Sequence, residues 1–180
     1  AAHHLATTAE SLSYMPAYGF GVSATTLVGQ AVGAGDTEGA RRYGSLTILI
    51  GFIGMTCTGL VLMLFPEALL GMFTNAQDVI ALGAPALRVE ALAQPFFALS
   101  IVASGALSGA GDTRTPMIIG LACMWGVRLS VAALCIYGFG MGLTGAWVGM
   151  ATDLTVRGIL TFARFRSPKW EKIAAVNVNA

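Results

Sequence analysis

Six ionisable side chains fall inside long apolar stretches of this 180-residue sequence: Glu10, Arg88, Glu90, Arg128, Asp153 and Arg157. A charge in hydrocarbon is costly, so such residues face a polar interior or pair with one another. The chemistry open to them is proton uptake by a buried carboxylate, help in holding a cation, or contact with a solute in a polar lumen. At about 1.5 Å of rise per residue, Glu10 lies about 10 Å inward along its stretch, Arg88 and Glu90 about 15 Å, and Arg128 about 13 Å. Their shared level predicts that Arg128 pairs with Glu10 or Glu90 and leaves the other carboxylate open to a cavity on the outer side. Tyr14 and Gln94, each one turn further along, extend the same polar faces. Asp153 and Arg157, four apart, predict an intrahelical pair. Arg88 pairs within its own helix or reaches outward along its aliphatic stem. The competing reading is that all of these charges only fix helix packing.

Nothing in the sequence points to an enzyme. His3 and His4 are adjacent, so they do not share a helix face, and no third ligand stands at metal spacing. The G-A-G-D-T segments lack the lysine of a phosphate-binding loop. No resident metal or cofactor is expected. Cys57, Cys123 and Cys135 sit singly in apolar surroundings and read as packing residues. A net charge of +1 argues against a nucleic-acid partner.

The elements that must position these residues follow from composition. With 56% hydrophobic and 11% charged residues and a mean hydropathy of +0.74, the chain is far from a soluble domain, which carries roughly 25% charged residues. Five apolar stretches, at 5–32, 43–65, 79–107, 116–137 and 143–165, could each cross about 30 Å of hydrocarbon. Pro16, Pro85 and Pro95 are tolerated inside membrane helices, where neighbours re-satisfy the freed carbonyl. Unbroken apolar runs disfavour a barrel, whose strands would alternate. The reading is an all-α, polytopic transmembrane bundle over residues 1–166, followed by a polar, partly disordered cytoplasmic tail over 167–180.

Two further patterns support this layout. Arg41 and Arg42 follow the first stretch, Arg114 the third, and Arg164, Arg166, Lys169 and Lys172 the fifth, whereas the loops after the second and fourth carry no Lys or Arg. That alternation puts the carboxy terminus in the cytoplasm. The pentapeptide G-A-G-D-T occurs at 33–37 and again at 109–113. Gly33, Gly35, Gly109 and Gly111 suit a helix end, and Asp36 and Asp112 suit the start of the next helix, so both copies read as one kind of corner. Small residues at four-residue spacing, Gly29/Gly33, Gly105/Gly109 and Gly145/Gly149, predict close helix contacts.

The runs A-A-H-H-L-A at 1–6, E-S-L-S-Y-M-P at 10–16, T-T-L-V-G-Q-A-V-G-A-G-D at 25–36, E-A-L-A-Q-P-F at 90–96, G-A-L-S-G-A-G-D-T-R-T-P at 105–116 and R-F-R-S-P-K-W at 164–170 resemble, in that order, the multidrug and toxic compound extrusion (MATE) transporters of prokaryotes. The resemblance implies helices eight to twelve of a twelve-helix, two-lobed protein: five of the six helices of the carboxy-terminal lobe. It implies a fragment without the amino-terminal lobe, residing in the inner (plasma) membrane. The implied activity is export of small organic, often cationic, compounds in exchange for Na⁺ or H⁺. Ser108 stands where many relatives carry Arg, and Phe97 where some Na⁺-coupled relatives carry Asp, so the coupling ion stays open. A lipid or lipid-linked oligosaccharide flippase, and a membrane assembly protein that does not transport, are the alternatives.

Overall fold

In the computed structural model, residues 2–74 and 76–178 are described, apart from the side chains of 2–6, 9, 10, 12, 13 and 176–178. Seven helices are built from the described residues: α1 (Ala2–Gly33), α2 (Thr37–Leu64), α3 (Pro66–Gly71), α4 (Gln77–Gly109), α5 (Arg114–Gly138), α6 (Gly142–Arg166) and α7 (Lys169–Val178). Three of them, α2, α4 and α5, combine the length and sustained apolar character needed to cross a membrane. Helices α1 and α6, of 32 and 25 residues, have the length, but more polar residues interrupt them. The molecule is an all-α transmembrane bundle.

Helix α4 is the hub, with α1, α2 and α6 all packed along it. Its 33 residues, about 50 Å of helix, continue through both Pro85 and Pro95. Helix α5 packs chiefly on α6 and presents most of its surface outward. Two of its segments, Cys123–Arg128 and Leu134–Gly138, widen into π turns. The cores follow this arrangement: one groups Val28, Ile48, Val102 and Leu107 with Phe165 and Trp170, and another groups Leu62, Leu70, Leu87 and Trp147.

The two G-A-G-D-T segments close α1 and α4 with the same hydrogen bonds. Asp36 N–H donates to Ala31 O and Gly35 N–H to Val32 O; Asp112 N–H donates to Leu107 O and Gly111 N–H to Ser108 O. Gly35 and Gly111 take the left-handed conformation, φ +76° and +90°, that this closure requires. Helix α3, after Phe65, was not anticipated; Pro66 at its first turn starts it.

Most of the segment expected as a partly disordered tail is helical. Residues 169–178 form α7, with Trp170 and Ala174 buried in the main core. The Trp170 ring stacks on Phe165 at 5.6 Å, and its Nε1–H donates to Phe165 O at 2.7 Å. Phe165 in turn fills the space left by Gly44, where a Cβ would lie 2.5 Å from Phe165 Cζ. A polar segment thus docks because one aromatic side chain offers a large apolar surface with its one polar atom satisfied. Ion pairs between Arg41 and Glu171 and between Arg164 and Asp112 bring both corners and the carboxy-terminal segment to one end of the bundle. Helix α3 lies toward the other end, where its Glu67 meets Arg88.

Candidate functional site

The contact between α1 and α4 is set by glycine. A Cβ on Gly105 would lie 2.3 Å from Gly21 O, and one on Gly109 2.4 Å from Thr25 O, so neither position admits a side chain without moving a helix. The Thr25 hydroxyl lies 3.0 Å from both Gly21 O and Gly105 O and ties the two backbones together. On the far side of α4, Gly158 brings α6 equally close, with a Cβ there 2.2 Å from Phe96 O. Gly145 and Gly149 hold α6 against Cys135, Ala132 and the Arg128 carbonyl of α5. Of the predicted pairs, only Gly33 finds no neighbour within 4 Å.

Beside the α1–α4 contact lies an open groove of about 360 Å³. Tyr18 and Val22 of α1 face Phe97, Ser100 and Ser104 of α4 across it; Pro116 and Gly120 of α5 and Arg157 of α6 complete the lining. Tyr14 stands edge-on to both Tyr18 and Phe97, with centroids 5.7 Å apart in each case, and so buttresses the aromatic end. Among the described residues that line the groove, Arg157 is the only charged one.

Arg157 and Asp153 form the expected intrahelical pair, Nη2 to Oδ2 at 2.7 Å. The partners differ in surroundings: the Asp153 side chain is completely buried, whereas 28% of the Arg157 side chain remains exposed. Asp153 Oδ1 and Arg157 Nε are buried without hydrogen-bond partners. The pair therefore hides its carboxylate and presents its guanidinium. A wall of hydroxyls, aromatic rings and one guanidinium can hold a flat apolar group and hydrogen-bond an acceptor.

The other charges lie elsewhere. Glu90 and Gln94 are completely buried within the bundle, so of the two carboxylates that the sequence reading offers to Arg128 or to a cavity, Glu90 is enclosed. Arg128, part-buried on α5, forms no ion pair with a described carboxylate. The Glu10 side chain is outside the described residues. Arg88 takes the outward route, to Glu67 of α3 at 2.7 Å, with both side chains about half exposed. The sequence reading ranks residues by depth along a helix. Which way a residue faces around the helix depends on how the helices cross.

At the second corner, Asp112 is 3% exposed and fully engaged. Its Oδ1 accepts from the Thr115 hydroxyl at 2.6 Å and the Thr115 amide at 3.3 Å, and its Oδ2 from Arg164 Nε at 2.8 Å and Nη2 at 2.6 Å. Burial pushes the carboxyl's pKa up, but the Thr115 and Arg164 bonds outweigh it and hold the group below its ordinary value. Asp36 at the first corner caps Gly39 N–H at 2.8 Å and is exposed. No spacing signal joins Arg164 to Asp112, since 52 residues separate them.

Comparison with known proteins gives these features a setting. The chain is 38% identical over 179 residues to a probable multidrug resistance protein NorM of Thermotoga maritima, covering 98% of this chain and 38% of that one. It is 37% identical over 171 residues to a protein of the same description from Brucella suis, covering 92% of this chain and 36% of that one. The chain thus spans less than two fifths of these relatives' length. A solved structure described as the inward-facing conformation of a multidrug resistance MATE family transporter of the MOP superfamily shares the fold, with a TM-score of 0.77 at 22% identity over 96% of this chain and 39% of that one. The sequence model of the MatE family matches residues 1–134, and the chain belongs to that family.

Proposed function

We propose that this chain is the larger part of one lobe of a secondary antiporter that exports drugs or other xenobiotics in exchange for Na⁺ or H⁺. The observation that carries the reading is the family membership, with relatives described as multidrug resistance proteins along nearly the whole chain. The groove beside the α1–α4 contact is the solute-facing surface of this lobe, and a second lobe supplied by the rest of the transporter covers it. Five helices, α1, α2, α4, α5 and α6, cross the plasma membrane, with the two G-A-G-D-T corners and the carboxy terminus in the cytoplasm; the placement of Arg and Lys at that end supports this orientation. Exchange then proceeds by rocking of the two lobes, with ion and solute biasing opposite states.

The test is loss of a fluorescent organic dye from cells that express the complete protein. Export above vector control should collapse when the Na⁺ or the H⁺ gradient is dissipated, and the collapsing gradient names the ion. Gly120→Leu, which places bulk at a groove position with nothing within 4 Å, should cut export several-fold at matched membrane abundance. Export that survives the loss of both gradients would refute the antiporter reading.

A further inference from the structure

The charge exposed in this groove has the wrong sign for a site built around organic cations. No Asp or Glu appears among the described residues lining it, the one carboxylate next to its charged wall is completely buried, and the exposed ion is a guanidinium. Arg157 is also held ready: one Nη2 N–H is committed to Asp153, which fixes the fork in place, and Nε is buried, which leaves the other Nη donors to serve a ligand. A guanidinium in a partly dehydrated wall binds a carboxylate or sulfonate with charge-assisted, often bidentate bonds. Around it stand the elements that would seat the remainder of such a molecule. Tyr18 and Phe97 offer ring faces and edges, and Ser100 and Ser104, four apart on α4, line the space between the rings and the charge.

We propose that Arg157, positioned by Asp153, is the recognition residue for the acid group of an aromatic ligand, so that this lobe favours aromatic acids and zwitterions over simple organic cations. The proposal rests on the transporter reading and adds to it the class of solute that this lobe selects. Arg157 of α6 lines the groove together with Ser100 and Ser104 of α4 and Pro116 and Gly120 of α5, so the pair adjoins surfaces of all three helices. A ligand acid group arriving there meets a pair that is neutral in sum but cationic on its accessible side.

The experiment measures binding of two matched probes, a naphthalene carboxylate and a naphthyl trimethylammonium, to the complete protein in nanodiscs of zwitterionic lipid. Removing Arg157 alone would strand Asp153, so the informative variant is the double change Asp153→Asn with Arg157→Gln, which deletes both charges together. Arg157→Lys keeps the charge without the fork. The carboxylate-to-ammonium affinity ratio should fall about tenfold or more in the double variant and partly recover in Arg157→Lys, as the loss of a hydrogen bond to a charged group implies. An unchanged ratio would return Arg157 to helix packing and overturn the proposal, as would an equal loss of both probes. Displacement of the carboxylate by anionic lipid added to the nanodiscs would assign the guanidinium to a headgroup, which also overturns it. The dye-export assay separates the two levels: export with an unchanged ratio leaves the transporter reading standing without this solute preference.

Discussion

The corner at 33–37 and the corner at 109–113 share five residues, one set of backbone hydrogen bonds and a left-handed glycine, yet their aspartates live in different surroundings. Asp36 is exposed and does no more than cap α2. Asp112 is buried, accepts from Thr115 and holds Arg164 through two nitrogens, so the same side chain pins the α4–α5 corner to the end of α6. The polarity of the stitching is reversed at the first corner, where Arg41 is the corner's contribution and Glu171 of α7 the partner. Identical local chemistry therefore yields a helix cap in one place and a tertiary clamp in the other. The difference arises because α6 ends beside the second corner and α7 beside the first.

The most forceful way to break the comparison is Asp112→Ala, which leaves Arg164 part-buried without its carboxylate and should destabilise the complete protein by about 3–5 kcal/mol. Asp36→Ala should cost only about 1 kcal/mol, the value of a lost cap. Thermal unfolding midpoints in detergent should rank them in that order, and equal losses would show that Asp112 is also only a cap. The clamp carries a pH signature as well. Because the folded carboxyl sits below its ordinary pKa of 3.8, its contribution is fully present above that pH and is lost as pH falls through the lowered value. The gap between wild type and Asp112→Asn should therefore hold from neutral pH down to about pH 4 and close below it.

Where the corners are alike, the responses should be alike. Gly35→Ala and Gly111→Ala each force a Cβ into the left-handed region and should each cost about 1–2 kcal/mol. A difference between them larger than that would mean that the two backbones are not equivalent. The smallest effect belongs to Arg41→Ala: its pair with Glu171 is substantially exposed and should be worth about 1 kcal/mol or less, diminishing as salt is added. A loss as large as that of Asp112→Ala would make the first corner a clamp too.

The sequence by itself determined the five long helices, to within six residues at their ends, because an apolar run of membrane length has few ways to satisfy its backbone except as a helix. It determined the two corners, since a glycine's left-handed turn and the hydrogen bonds that close it are local events. It also determined the Asp153–Arg157 pair, because residues four apart on a helix are neighbours whatever surrounds them. The tertiary structure alone decided which way each charge faces. Thr25 and Gly105 meet across 80 residues of chain, Gly158 brings α6 against the other side of α4, and in that packing Arg157 lines the groove while Glu90 is enclosed. It likewise decided that Asp112 is a clamp, and that a polar tail docks as a helix through Trp170. Depth along a helix is counted from residue numbers, but orientation around it is fixed only when a second helix packs against it.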